Sequence, residues 1–356
     1  VTPDGSTLAP IGPHARRVLG GALVVAAIGW PGLSLLVQAG DIPRPLAYDE
    51  LTRGPAPIPP AERMLQTAVA DEWFKVADVG VPLEGPAFDR IGDLIFADAG
   101  SGRILRVTAE RRLTTVVPEN ALGLGGLAVH KDGRIYAAGA GDFRRGSIVS
   151  VAADGSDMAT VVSLDAGYVP NDLVFDRLGG FYFTDFRGSS TDPKGGVYYV
   201  APDRKTVVPV VPNLAMANGV ALSPDGRTLW VTEFSRNLLH RIELADATTP
   251  TPFGTAVAYH FVGPAPDSMR VDGDGNVYVA MYGQGRVLAF NPQGIPIGQV
   301  LLPGREEGHN LRSTSMAIRT GSDELFIVTN DGDGGRGSTI FRSKAFAKAA
   351  TLYSHR

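Results

Sequence analysis

Six residues stand at one recurring place in the chain: Glu84, Gly125, Asn171, Asn218, Asp267 and Thr314. Each heads a short apolar stretch, as in EGPAFDRIGDLIFAD, NDLVFDRLGGFYFTD, NGVALSPDGRTLWVTE and DSMRVDGDGNVYVAM. Four of them, Glu84, Asn171, Asn218 and Asp267, carry carboxylate or amide oxygens. Oxygens at the head of an apolar strand need partners, because burying one unpaired costs about 1–3 kcal/mol. Hard oxygen donors converging on one point suit calcium, which accepts roughly six to eight of them, neutral amides and water included. Other divalent cations are possible, but zinc prefers His or Cys, and magnesium keeps more water in a stricter octahedron. A hydrogen-bonded polar plug lining a channel is the alternative that these residues leave open. Asn followed by Asp or Gly is also a common turn signal.

What would bring these residues together is a repeat. Their positions lie 41, 46, 47, 49 and 47 residues apart. Each unit holds two strands around a Gly turn, and further strands follow, such as GGVYYVAPD from Gly195 and GRVLAFNPQG from Gly285. Four strands in each unit of that length is the period of a propeller blade. The pattern therefore predicts an all-β fold, a six-bladed β-propeller with the six heads in a ring around its axis. A β-sandwich would not repeat one pattern six times at near-constant spacing. The stretch EWFKVADVG from Glu72 is expected to pair into the last blade and close the ring.

Other candidates weigh less. His130 is expected in an exposed outer turn. His309, five residues before Thr314, is placed equally well at the pocket mouth or in a loop. Asp331-Gly-Asp333-Gly looks like part of a calcium loop but lacks the rest, so a plain turn is expected. There is no Gly-x-Ser-x-Gly elbow for a serine nucleophile. Phe186, Phe234, Met281 and Tyr282 lie near the ring face, as an apolar pocket wall or as packing between blades.

Composition agrees with short strands and Gly turns: 44 Gly, 26 Pro and 20% charged residues in 356. A net charge of −4 with no long basic block argues against a nucleic-acid partner. The absence of cysteine excludes disulfides and thiolate chemistry. Near the amino terminus, His-Ala-Arg-Arg at 14–17 precedes an apolar run over 18–37. Residues 1–40 thus read as a signal peptide or membrane anchor, giving an exported or anchored protein. A cytoplasmic one follows if that segment folds into the domain. Residues 41–60, rich in Pro, read as a linker, and 61–356 as the propeller.

From about residue 80 to 345 the chain resembles the senescence-marker-protein/gluconolactonase family of six-bladed propellers, and most of all its drug-responsive lactonases. LEGPAFDR, ANGVALSPDGRTLWVTE and PDSMRVDGDGNVYVAMYGQGRVLAFNPQGIPIGQVLLPGREEGHNLRST carry the resemblance. It implies calcium-dependent lactone hydrolysis on a small lactone or ester substrate, with Glu84, Asn218 and Asp267 as metal ligands and Asp267 also as acid/base; a phosphotriesterase or arylesterase on the same metal, or a non-catalytic binding propeller, is the alternative. Asn171 matches the amide of the gluconolactonases, whereas the drug-responsive lactonases tend to carry Asp there. Ser268 follows Asp267 as in those lactonases and is expected to add a ligand. Ser163 and Ala166 stand where a second, peripheral calcium would need Asp and Thr, so that site is not carried over.

Overall fold

The turn inside each repeat shows why the chain doubles back where it does. In the fourth, strands Ala217–Leu222 and Thr228–Glu233 are joined by Ser-Pro-Asp-Gly-Arg. The carboxylate of Asp225 accepts the N–H of Arg227 at 3.0 Å, and Gly226 N–H donates to the Ser223 carbonyl at 2.8 Å. Gly226 takes φ +75°, a left-handed conformation that suits glycine.

The computed structural model describes residues 46–356. The proposed leader over 1–40 and the first part of the Pro-rich stretch lie outside the described residues. Six sheets of four or five strands, antiparallel but for one added edge strand, follow one another along the chain. Their innermost strands are Leu83–Phe88, Leu124–Val129, Pro170–Phe175, Ala217–Leu222, Pro266–Val271 and Arg312–Ile318, which head blades I to VI. Each innermost strand packs against the next, and the last against the first, so the sheets form a closed six-bladed propeller. There is no single core. Six hydrophobic clusters each fill the wedge between two adjacent blades, such as Ile95 and Ala97 against Leu127 and Ile135 between blades I and II. This explains why second strands such as Leu94–Asp98, Phe181–Asp185 and Val277–Met281 are buried along their whole length. They are covered on both faces.

The ring closes as expected. Asp71–Ala77 pairs antiparallel with Ser338–Lys344 and completes blade VI, whose three inner strands come from the other end of the domain. Trp73 anchors it edge-on to Phe326, ring centroids 4.9 Å apart. A second addition is not legible in the repeat. Gln66–Val69 pairs parallel with Pro296–Leu301 as a fifth, exposed strand of blade V.

The last residues of the predicted linker lie against the propeller. Ala56 is buried and its carbonyl accepts from the buried guanidinium of Arg305. Pro60–Glu62 forms one 3-10 turn that buries Glu62 against Arg286. Two buried cations thus require this stretch to dock. His130 also departs from expectation. Its side chain is only 14% exposed, because Tyr353 from the C-terminal segment folds over it with ring centroids 4.9 Å apart. Among the described residues no helix is long and apolar enough to cross a membrane.

Candidate metal centre

All six ring residues sit at an irregularity that recurs near the start of every innermost strand. In blade V, Pro266 pairs with Met281 and Met269 with Val279, so Asp267 and Ser268 together face Ala280. Blade IV sets Asn218 and Gly219 against Thr232, and blade III sets Asn171 and Asp172 against Thr184. Such a bulge bends the strand and re-aims its side chains. It also frees one inner N–H from the ladder, and that donor must be satisfied. On the two blades whose ring residue is Asn, a threonine hydroxyl does so. Thr184 Oγ1 accepts from Asp172 N–H at 3.0 Å, and Thr232 Oγ1 from Gly219 N–H at 2.7 Å. On the two blades whose ring residue is acidic, Ala97 stands opposite Glu84 and Ala280 opposite the bulge. There Gly85 N–H donates to the Glu84 carboxylate and Ser268 N–H to that of Asp267.

Inner strands approach closely at this level. A Cβ on Gly219 would lie 2.7 Å from the Cα of Ser268, which explains the glycine after Asn218. Asn218, Asp267, Ser268 and Thr314 are buried, while Glu84 and Asn171 are part-exposed. Thr314 is occupied, its Oγ1 donating to the Leu83 carbonyl at 2.5 Å. Gly125 brings no side chain.

Electrostatics tie part of the ring together. Burial pushes the Asp267 carboxyl up to about 8, against hydrogen bonds from the Asn218 side chain and Ser268 N–H, with Asp172 adding a like charge. Glu84 is raised well above its ordinary value by burial and then by Asp267 and Asp172. The structure therefore brings Glu84, Asn218 and Asp267 within each other's influence, with Asp172 beside them. Asn218 Oδ1 and Ser268 Oγ are buried with no hydrogen-bond partner. Orphaned buried oxygens beside carboxylates that burial drives toward protonation fit a cation better than a self-satisfied plug. Among the described residues no group of three or more His, Cys, Asp and Glu could hold a metal ion. The donor set here has two carboxylates, and its remaining oxygens are amide and hydroxyl.

One step outward, Phe186, Phe234 and Tyr282 occupy the same place on blades III, IV and V. Each donates its N–H to the residue two before the ring head, Val169, Met216 and Ala265. Their rings are part-exposed and touch in series, with centroids 5.5 and 6.2 Å apart. Ala99 and Ala140 fill this place on blades I and II, so these two blades bring no aromatic ring to it. Met281 is fully buried between blades IV and V and belongs to the core. His309 is turned to the acidic turn: its Nδ1 lies 3.0 Å from Asp331, whose carboxylate also accepts the N–H groups of Asn310 and Arg336 at 2.8 Å each. That acidic turn is structural.

A closed six-bladed propeller with carboxylate, amide and hydroxyl oxygens at the heads of its inner strands defines the class. The chain belongs to the SMP-30/gluconolactonase/LRE-like family, whose model matches residues 83–330. It is 48% identical over 313 residues to the lactonase drp35 of Staphylococcus saprophyticus, covering 86% of this chain and 97% of that one. Its identity to the same-named protein of Staphylococcus aureus strain USA300 is 44% over 318 residues, 88% and 98% of the two chains. The fold is that of a calcium-binding regucalcin from Agrobacterium tumefaciens, at TM-score 0.67 and 18% identity over 82% of this chain and 99% of that one. A gluconolactonase from Xanthomonas campestris matches at TM-score 0.62 and 23% identity over 76% and 88%.

Sequence reasoning passed over Asp172, Arg270 and the two threonines. Asp172 was visible as the one charged residue at a position that is otherwise Gly or Ser: Gly85, Gly126, Gly219, Ser268 and Ser315.

Proposed function

We propose that this protein hydrolyses lactones with the help of one divalent cation, calcium, held by Glu84, Asn171, Asn218, Asp267 and Ser268. The observation that carries the reading is the pair of orphaned buried oxygens, Asn218 Oδ1 and Ser268 Oγ, beside two carboxylates that burial pushes toward protonation. The lactonase relatives supply the reaction class. A cation bound there supplies a positive centre against which an ester carbonyl is polarised.

The protein's own residues do the rest. Asp267, ionised when an opposite charge stands beside it, takes the proton of the water that attacks the carbonyl carbon. As the ring C–O bond breaks, it returns that proton to the departing alkoxide oxygen. The amide of Asn218 and the N–H of Ser268 hold the Asp267 carboxylate in place. Glu84 contributes charge and stays a ligand. Phe186, Phe234 and Tyr282 present an apolar flank to the bound ester and exclude water on that side.

The test is metal analysis of the purified full chain, followed by a panel of lactones, aryl esters and phosphotriesters with and without chelator. About one calcium per chain and chelator-sensitive lactone opening are expected. Turnover confined to phosphotriesters or aryl esters would replace the substrate class. A metal-free protein with full activity would remove the cation. Export or anchoring through residues 1–40 is a separate proposal, checked by protease protection on intact cells.

A further inference from the structure

The six-fold register has two levels at which one blade breaks rank. One residue after the ring heads, five blades carry Gly or Ser and blade III carries Asp172. Three residues after the heads, five blades carry Ala87, Ala128, Val174, Ala221 and Ala317, and blade V carries Arg270. These six residues line an axial cavity, closed further along by the C-terminal segment at Ala349–Ser354. Arg270 is thus a long cation in a collar of small apolar side chains.

The two exceptions meet. Arg270 Nη1 lies 3.1 Å from Asp172 Oδ2, reaching from blade V to blade III past the inner strand of blade IV. Asp172 is fully buried, and its other carboxylate oxygen accepts the N–H of Leu173 at 2.8 Å. The same Arg270 nitrogen donates to the Met269 carbonyl at 2.6 Å, while Nη2 is buried without a partner. Three carboxylates, Glu84, Asp172 and Asp267, crowd this end of the axis, and Arg270 pairs with Asp172 and draws on Glu84. One guanidinium against three carboxylates leaves two negative charges.

We infer that Arg270 is a positioning residue for the cation: by pairing with Asp172 it keeps that carboxylate out of the ligand set and sets the charge of the ring to match one divalent ion. This rests on the calcium reading above. A structural clamp would need only that the pair stay joined. A counter-charge makes opposite predictions for its two halves. Removing Arg270 leaves the ring one charge more negative and strengthens its pull on a cation. Removing the Asp172 charge leaves a bare guanidinium beneath the ring and weakens it.

The experiment is calorimetric titration of calcium into metal-free full-length protein, with thermal melts of the same samples. Arg270→Gln is expected to tighten calcium binding on the order of tenfold, and Asp172→Asn to loosen it by a similar factor. The double variant returns to within about threefold of wild type, because the two charges cancel. Arg270→Lys, which keeps the charge, stays close to wild type. The metal-free Tm of Arg270→Gln falls, and calcium raises it by more than it raises wild type. Single variants that shift calcium affinity in the same direction, or leave it unchanged while wild type binds, overturn the inference. Failure of wild type to bind calcium at all sinks the cation reading and this inference with it.

Discussion

Thr232 fastens the backbone of Asp267. Its Oγ1 donates to the Asp267 carbonyl at 2.7 Å and accepts the Gly219 N–H, so one hydroxyl joins the bulges of blades IV and V. Thr184 does the same one blade earlier, between Asp172 N–H and the Asn218 carbonyl. Replacing Thr232 by the isosteric Val leaves a buried N–H and a buried carbonyl short of a partner. Thr232→Val should cost about 1–3 kcal/mol of stability. It should also lower kcat for lactone opening while changing KM little, because the carboxylate loses its footing and the apolar wall stays. Melting curves and steady-state kinetics check both; an unchanged kcat would show that the stitch is structural only.

Asp267→Asn removes the group proposed to carry the proton while keeping an oxygen for the cation. Turnover should fall by about 100- to 10,000-fold. Calcium should still bind, more weakly, because the ring loses one negative charge. Glu84→Gln should weaken binding in the same way but recover most of its activity at saturating calcium. Calorimetry beside kinetics separates the two roles, and full activity in Asp267→Asn would end the acid/base assignment.

The fold and the ring were legible because they repeat. A position that recurs six times at near-constant spacing shows its role by periodicity, and the bulge that aims Asp267 falls where the repeat put it. Pairings that occur once leave no such trace. Arg270 and Asp172 are 98 residues apart and meet only because the closed ring turns blades III and V toward one axis. The strand Gln66–Val69, the docking of Ala56 and the covering of His130 by Tyr353 are likewise single events. Each depends on a segment outside the repeat finding a groove that the closed ring creates.

Removing the cation should make stability depend on pH in a definite direction. Burial pushes Asp267 up to about 8 and raises Glu84 as well, so both hold protons in the metal-free fold that the unfolded chain releases at ordinary carboxylate values. Between about pH 4 and 8 the folded state binds more protons, and stability therefore falls as pH rises through that window. Carboxylates lowered by their partners, such as Asp98 and Glu233, act below it. The metal-free Tm should decline from about pH 5 to 8, and excess calcium should flatten the decline. Calcium titration near pH 6 should release protons, read from the buffer dependence of the heat. A metal-free Tm that rises across this range would contradict the account.

One of the contacts that dock the amino-terminal stretch is a buried ion pair. Arg286 is fully buried on blade V, and its Nη2 lies 2.6 Å from Glu62 Oε2, itself 1% exposed. Gln284 accepts from Arg286 Nε at 2.9 Å, and Tyr259 donates its hydroxyl to Glu62 at 2.7 Å. Two charges taken out of water together are costly, but one left without the other costs more. Glu62→Ala should therefore lower stability by about 3–5 kcal/mol, because Arg286 keeps its charge in a closed site. Glu62→Leu combined with Arg286→Met should cost much less, since neither charge remains. Chemical denaturation of the three proteins checks this. Neither residue is among the proposed ligands, so calcium affinity should stay unchanged in the double variant, and a large loss there would mean that the docked segment also shapes the metal site.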